Sequence, residues 1–471
     1  MIKGTFFLLL YASCDIASAA QCGKVWLTVS SLWRPIAASD KVVDAELEVN
    51  WELDCQSSTE YPDTIKVFTA DPVHSNKFCL LLLLFLLLTH KTIKPRLILS
   101  PLEHPRGYYR TNITVGRPPL PGGWDTRDGA TLPGPHCLKH HVALYKDGDL
   151  FTSSCLQIWP TWMYDLRRQL GRLPIGSLMI PGTHNSGCYK HGDLTRRDVF
   201  QRYLLTQDRD VWTQLVHGIR YLDIRVGYYP SRPNGTAPGD ESNSLNRFWV
   251  NHDVLRITPL SAIIKDVRNF LDVARGEVVI MDFHRFPVGF EGRPSRLRRL
   301  AAILHREFGD LILKPDRGVV GLGPTLNDIW TGAGRLIICY GDKHTVNANE
   351  WLWPSLSQAW GNQQTVEDLF KYLDDVIMGS KKSRNSQNPL WAVMAELTPF
   401  PLDIIFKPSG GLRQMADAVN RNLTVKFQEK WWKETNIVAT DFFLGNNLID
   451  VSIQSNIKKS NSIFFRENYF D

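Results

Sequence analysis

Three histidines, an arginine and several carboxylates recur in this chain, each just beyond a short apolar run. "SLMIPGTHNSGCY" supplies His184 and Asn185, and "GIRYLDIRVGYY" supplies Asp223 and Arg225 two residues apart. "RFWVNHDV" ends in Asn251-His252, "GEVVIMDFHRF" in Asp282 and His284, and "NIVATDFFLG" in Asp441. Imidazole titrates near neutrality and can accept or donate a proton during a reaction. A guanidinium presents a rigid fork that matches two anionic oxygens, as on a phosphate. A carboxylate behind a histidine fixes its tautomer and stabilises its protonated form. Together these residue types suit acid–base chemistry beside an anionic group. Each alone has a plainer reading: a histidine after a strand is ordinarily a loop residue, and Asp223–Arg225 is equally a structural ion pair.

What could bring them together is the texture of residues 158–471, where apolar strands alternate with amphipathic helices. Strands are expected at 177–181, 220–226, 247–251, 277–283, 335–340, 391–397 and 437–441. Between them, "TPLSAIIKDVRNFLDVARG" carries Leu260, Ile263, Ile264, Val267, Phe270, Leu271 and Ala274 on one helical stripe. Pro259 stands at its start and Gly276 at its stop. "SRLRRLAAILHREFG" and "TVEDLFKYLDDVIMG" behave alike. Strands apolar throughout and alternating with helices predict an α/β fold, a TIM-like (β/α) barrel, whose functional residues gather at the carboxyl ends of the strands. Pro181-Gly182 stops a ladder and turns His184 toward that rim. Tyr340 and Glu396 at strand exits, and Trp360 nearby, are further candidates for substrate contact.

The front of the chain reads differently. Residues 21–157 hold "KVWLTVSSLW", "DAELEVNWEL", "TIKVFTA", "GYYRTNITV" and "HHVALYK", alternating apolar with polar and separated by turn residues. This pattern predicts an N-terminal β-sandwich. Residues 1–20 have the form of a cleaved secretion signal, with Lys3, an apolar core from Thr5 to Ala12 and small residues at Ala17-Ser18-Ala19-Ala20. Sequons at Asn112, Asn234 and Asn422 agree with a secreted, glycosylated protein. Cys22, Cys55, Cys137 and Cys155 are disulfide candidates with the pairing open, whereas Cys188 and Cys339 read as small buried residues. The run from Phe78 to Leu88 is eleven residues, too short to span a bilayer, and 77–95 is expected to be an insertion outside the fold. No Cys/His spacing points to structural zinc. The formal charge of +6 would assist contact with an anionic surface, and no nucleic-acid module is present.

The motifs "LPIGSLMIPGTHNSG", "RYLDIRVGYYP", "FWVNHDV", "EVVIMDFHRF" and, more loosely, "NIVATDFF" resemble the X domain of phosphatidylinositol-specific phospholipase C, in the form found in PI-PLC X domain-containing proteins. The likeness covers residues 160 to about 445, and "GYYRTNITVGRPPLPGGW" is similar to the N-terminal region of insect members. The resemblance implies a phosphoric diester hydrolase: an inositol hydroxyl attacks the neighbouring phosphodiester and diacylglycerol leaves. It makes His184 the base, His252 the acid, Arg225 the phosphate-binding cation and Asp441 the partner of His184. Asp223 then holds either His252 or Arg225, and Asn185 lies beside the phosphate. Asn185, Asp223 and Asp282 match three calcium ligands of calcium-dependent enzymes of this fold, but the fourth position is Arg225, which would repel the ion. A metal-independent reaction without a cofactor is therefore expected, with Asp282 free to meet sugar hydroxyls. The implied partner is phosphatidylinositol or a related phospholipid or glycolipid at a membrane surface, met by a monomer outside the cell. Two alternatives stand: a lipid-binding protein without turnover, and a metal-dependent barrel like glycerophosphodiesterases or sphingomyelinase D.

Overall fold

The computed structural model describes residues 23–33, 45–53, 62–73, 93–127, 129–190, 199–230, 245–316, 321–379, 388–400, 402–407 and 410–469. The expected secretion signal at 1–20, Cys22, Cys55, Asn234 and most of the 77–95 stretch lie outside them.

Seven front strands form two antiparallel sheets. They are β1 (Lys24–Val29), β2 (Glu46–Glu52), β3 (Thr64–Phe68), β4 (Leu97–Leu99), β5 (Tyr108–Thr114), β6 (His136–Lys146) and β7 (Asp149–Ile158). One sheet is ordered β1-β2-β5 and the other β4-β3-β6-β7. Sequence alternation anticipated five of these; β4 is only three residues long, and in β7 the run Thr152-Ser153-Ser154 interrupts the apolar alternation. A disulfide joins Cys137 to Cys155 across β6 and β7, while Cys188 and Cys339 are buried free thiols. Asn112 and Asn422 are exposed.

The larger sheet is built from β8 (Ile180–Thr183), β9 (Tyr221–Tyr228), β10 (Phe248–His252), β11 (Leu255–Pro259), β12 (Val279–Val288), β13 (Leu336–Tyr340), β14 (Trp353–Pro354), β15 (Ser357–Ala359), β16 (Trp391–Met394) and β17 (Ile437–Thr440). Eight of them run in the order β14-β13-β12-β9-β8-β17-β16-β15, and every neighbouring pair on that path is parallel. The sheet curls on itself. Ile180, Tyr221, Ile280, Ile337, Trp353, Ala392 and Ile437, from strands along the whole path, meet in one buried cluster. Its two ends, β14 and β15, are separated in the chain only by Ser355 and Leu356.

One expected barrel strand has a different place. The strand at 247–251 is β10, which pairs antiparallel with β9 and with β11. A parallel return needs a crossover of a dozen or more residues, usually helical. The connection "PSRPNGTAPGDESNSLN" holds three prolines and two glycines, residue types that disfavour a helix. β10 and β11 therefore extend β9 as a hairpin.

Helices cover the outer face as their stripes require. In Leu260–Val273 the buried side chains are the expected apolar ones plus Asp266, with Pro259 as N-cap. Pro294–Phe308 and Val366–Met378 likewise bury one face. The front sheets share a continuous core with this layer: Val29, Leu138 and Trp124 belong to the same buried cluster as Trp212 and Phe270. At the base of the sheet, Arg220 and Glu277 form a fully buried pair at 2.6 Å. Arg220 also donates to the carbonyls of Pro160, Leu215 and Ile219, so its charge is saturated.

Candidate active site

Side chains alternate across a strand, so parity decides what faces the inside of the curl. Ile180, Tyr221, Ile280, Ile337, Ala392 and Ile437 point inward. Counting by twos from them toward the carboxyl ends gives His184, Asp223 with Arg225, Asp282 with His284, Glu396 and Asp441. Cys339 shares the inward face while Ile338 and Tyr340 belong to the outer cluster. That corrects the expectation for Tyr340: its hydroxyl donates to the Leu297 carbonyl at 2.9 Å and its ring rests on Phe283 and Phe286.

A cleft of about 220 Å³ opens at this rim, lined by His184, Arg225, His252, His284, Arg285, Gln358, Trp360, Glu396, Leu397, Thr398, Pro399, Leu412 and Asp441. His184, Arg225 and His252, from three separate strand ends, thus share one cavity. Asn185, Asp223 and Asp282 lie behind the lining.

His184 is held from both sides. Its Nδ1 lies 2.8 Å from Asp441 Oδ1, and Arg225 Nη2 donates to Nε2 at 3.0 Å. Because a guanidinium can only donate, Nε2 is the acceptor and Nδ1 carries the proton toward Asp441. Glu396 Oε1 stands 3.8 Å from the same Nε2. Burial opposes an imidazolium here, but the Glu396 and Asp441 carboxylates outweigh it and raise the pKa of His184. The backbone is fixed as firmly: Gln207 Nε2 donates to the carbonyls of both His184 and Thr440 at 2.9 Å. Gly182 has no alternative, since a Cβ there would meet the Tyr221 ring at 2.6 Å. Asn185 and Phe442, flanking the histidine and its carboxylate, both adopt positive φ, of 43° and 48°. Such conformations persist where the surroundings over-determine them.

Asp223 resolves its two expected alternatives. Its Oδ2 accepts from Arg225 Nη2 at 3.2 Å and from the Asn185 backbone N–H at 3.0 Å. His252 is held instead by the Leu204 carbonyl, to which Nδ1 donates at 2.7 Å, because the hairpin carries it away from β9's interior row. Burial disfavours a charged Asp223, but Arg225 and His184 more than compensate and bring its pKa to about 2. Burial lowers the pKa of His252, reinforced by His184 and Arg225 against the Leu204 bond. Burial likewise brings His284 to about 4, despite Asp223.

The remaining carboxylates are short of donors. Asp282, beside Asp223 in the sheet register, accepts from Tyr221 Oη at 3.0 Å and Gln358 Nε2 at 2.9 Å, yet Oδ1 has no partner. Burial, then the neighbouring Asp223 charge, raises it to about 7. Glu396 is buried with neither oxygen hydrogen-bonded, and burial raises it to about 7. Trp360 lines the mouth, its Nε1 donating to Thr398 Oγ1 at 3.1 Å.

Sequence reading missed Gln358, Arg285 and the 397–399 segment. β15 is three residues long and gives no strand signal, so nothing marked Gln358 as inward-facing. As for a metal, Arg225 Nη2 sits 3.2 Å from Asp223 Oδ2, so a cation occupies one carboxylate oxygen that a calcium ligand set would use. Among the described residues, three His, Cys, Asp or Glu ligand atoms converge only at Cys137, His141 and Cys155, two of which form the disulfide.

The rim residues stand on a curled parallel sheet of an α/β fold. The chain is similar to the PI-PLC X domain-containing proteins. It is 26% identical over 322 residues to the human PI-PLC X domain-containing protein 1, covering 63% of this chain and 92% of that one. The mouse counterpart is 25% identical over 325 residues, with 63% and 86% covered. Among solved structures, the F249X mutant of the Staphylococcus aureus phosphatidylinositol-specific phospholipase C matches 63% of this chain and 97% of its own, at 15% identity and a TM-score of 0.46. No protein-family model matches the chain.

Proposed function

We propose that the protein cleaves the head-group phosphodiester of phosphatidylinositol or a related lipid, without a metal. The observation that carries this reading is the pairing of His184 Nδ1 with Asp441 at 2.8 Å, with Nε2 turned to Arg225 in a cleft shared with His252. A ring hydroxyl of the head group attacks the phosphorus as its proton passes to His184 Nε2. The oxygen–phosphorus bond to the diacylglycerol breaks, and a proton from His252 Nε2 goes to the leaving oxygen. The products are a cyclic inositol phosphate and diacylglycerol. His252 has its Nδ1–H committed to Leu204, so Nε2 is the atom that gains and loses this proton. The anionic diester offsets the burial that lowers its pKa. Arg225, locked on Asp223, faces the non-bridging oxygens with a fixed positive charge and no reorganisation.

Asn185 Oδ1, Asp282 Oδ1 and both Glu396 oxygens are buried acceptors without donors. Leaving such groups unpaired costs about 1–3 kcal/mol each. Ring hydroxyls of a polyol supply the missing donors, which supports Glu396, Asp282 and Asn185 as head-group contacts. The cleft mouth supports a lipid surface as the partner: Trp360, Phe400, Leu402, Ile405 and Phe406 are exposed, and Leu397–Pro399 leads directly from the cleft to them. We read residues 1–20 as a secretion signal, 21–157 as a sandwich domain and 158–471 as the catalytic domain of an exported, glycosylated monomer.

The test is a panel of phospholipids in mixed micelles, with and without a chelator. Release of cyclic inositol phosphate that withstands the chelator and disappears in His184→Ala is expected. Calcium-dependent release, activity persisting in His184→Ala, or saturable binding without product would each overturn the reading.

A further inference from the structure

The front sheets do more than share a core with the helical layer of the curled sheet. Beyond β1 the chain runs through Ser31 to Trp33, and this segment touches the turn that carries Asp441. Asn420, from the helix Leu412–Glu429, donates its Nδ2 protons to the Asp441 carbonyl at 3.1 Å, the Phe442 carbonyl at 3.3 Å and Ser31 Oγ at 3.2 Å. Its Oδ1 accepts from Asn446 Nδ2 at 3.4 Å, and Asn446 also donates to Thr440 Oγ1 at 3.1 Å. Arg413, from the same helix, donates to the Ser31 carbonyl at 3.1 Å and pairs with Asp208. Its guanidinium lies 3.5 Å from the Trp33 ring and 4.3 Å from the Phe442 ring. A Cβ at Gly445 would collide with Ser31 Oγ, so this contact is as close as backbone allows.

Phe442 is the residue held at φ 48° immediately after Asp441. A non-glycine residue does not keep that conformation without external support. The support is Asn420 on its carbonyl, Arg413 on its ring, and Ser31 and Trp33 behind both. We propose that Ser31 and Trp33, acting through Asn420 and Arg413, are positioning residues that keep the Asp441 carboxylate on His184, so that the N-terminal sheets are part of the catalytic apparatus.

The proposal rests on the phosphodiesterase reading for its kinetic consequence, but its structural consequence is measurable on its own. The charged groups facing His184 are Asp441 beyond β17, Glu396 beyond β16, and Asp223 and Arg225 on β9, with His252 and His284 at the hairpin and β12. Only Asp441 is gripped by the front segment. Displacing it leaves burial to dominate, and the titration midpoint of His184 moves down.

The test uses the full chain with Asn420→Ala, Trp33→Ala and the conservative Trp33→Phe. Ring-nitrogen NMR follows the His184 midpoint, thermal melts establish that each variant folds, and kcat and KM are measured on phosphatidylinositol micelles. Asn420→Ala and Trp33→Ala are expected to lower the midpoint by about one pH unit. They should lower kcat about 10- to 100-fold, as displacements of about 1 Å do, with KM nearly unchanged. Trp33→Phe is expected to restore both. Folded Ala variants with an unchanged His184 midpoint overturn the proposal, as does a Trp33→Phe that fails to restore it. If Asn420→Ala does not fold, the Trp33 pair decides alone. Absence of lipid hydrolysis in the unsubstituted protein would defeat the functional reading, and the NMR midpoint would still decide this one.

Discussion

Asp441→Asn removes one charge from the site while keeping its shape. The carboxylate stands 2.8 Å from His184 Nδ1, both groups are buried, and the imidazole formed when His184 takes the substrate proton is cationic. With charge centres about 4 Å apart and an effective dielectric near 20, the attraction is about 4 kcal/mol. That equals about three pK units at roughly 1.4 kcal/mol each. Glu396, 3.8 Å from Nε2, retains part of the stabilisation, so a fall of about one to two units is expected. The sign follows from what remains. His184 lies above its ordinary value because two carboxylates outweigh burial, and with one gone burial prevails. The histidine then stays neutral to lower pH, and the acidic limb of the rate profile moves down. The maximal rate falls even so, because the asparagine amide can donate to Nδ1, placing the proton on Nε2 where it blocks acceptance. A loss of about 10³- to 10⁴-fold in kcat is expected. The assay is cyclic inositol phosphate release from micellar phosphatidylinositol between about pH 4.5 and 9, a range spanning the imidazole titration. Activity within about threefold of the unsubstituted protein, a rise of only about 0.6 kcal/mol in the barrier, would refute the reasoning.

Arg225→Lys keeps the charge but loses the fork that joins Asp223, His184 and the phosphate; kcat should fall about 10²- to 10³-fold, and equal rates would show that a point charge suffices. Asp282 and Glu396 are both raised to about 7, so their protonation favours the folded state: the contribution is complete below about pH 4 and lost as pH rises through 7. Glu396→Gln should therefore raise the melting temperature clearly at pH 8 and little at pH 5, and equal shifts at both would contradict a strained carboxylate. Phe400→Ala combined with Phe406→Ala should reduce sedimentation with phosphatidylcholine–phosphatidylinositol vesicles while sparing hydrolysis of a monomeric short-chain substrate; unchanged sedimentation would remove the rim from the docking surface. Glu277→Leu strands the Arg220 charge in the core and should cost about 3–5 kcal/mol by urea denaturation, a stability effect that near-neutral unfolding would disprove.

Much of the fold was legible because its signals are local. The helix Leu260–Val273 declares itself through a stripe bounded by Pro259 and Gly276, and six of seven expected strands fall on the parallel path. What escaped had no local signal. β14 and β15 together contain five residues, and their pairing depends on the rest of the sheet being in place. The hairpin status of β10 left a mark in the composition of the preceding segment, whose three prolines and two glycines disfavour a crossover helix, and none in the strand itself.

The site was legible to the extent that parity was respected. His184, Asp223, Arg225, Asp282, Glu396 and Asp441 all lie an even count from an inward-facing residue on the same run. Tyr340 lies an odd count from Ile337, so the rule that found the others also excludes it. Parity cannot tell a lining residue from one behind the lining: Asp223 and Asp282 sit one layer deeper than Arg225 and His284, at distances set by neighbouring strands. Nor can it reveal how Asp441 is held. Its support comes from Ser31, some 400 residues earlier, and contacts across that separation leave no mark in the spacing of either segment. The unsatisfied oxygens of Glu396 are still less visible, because an unpaired acceptor is defined by what does not surround it. Under the proposed function they are where hydroxyls of the head group would find their acceptors.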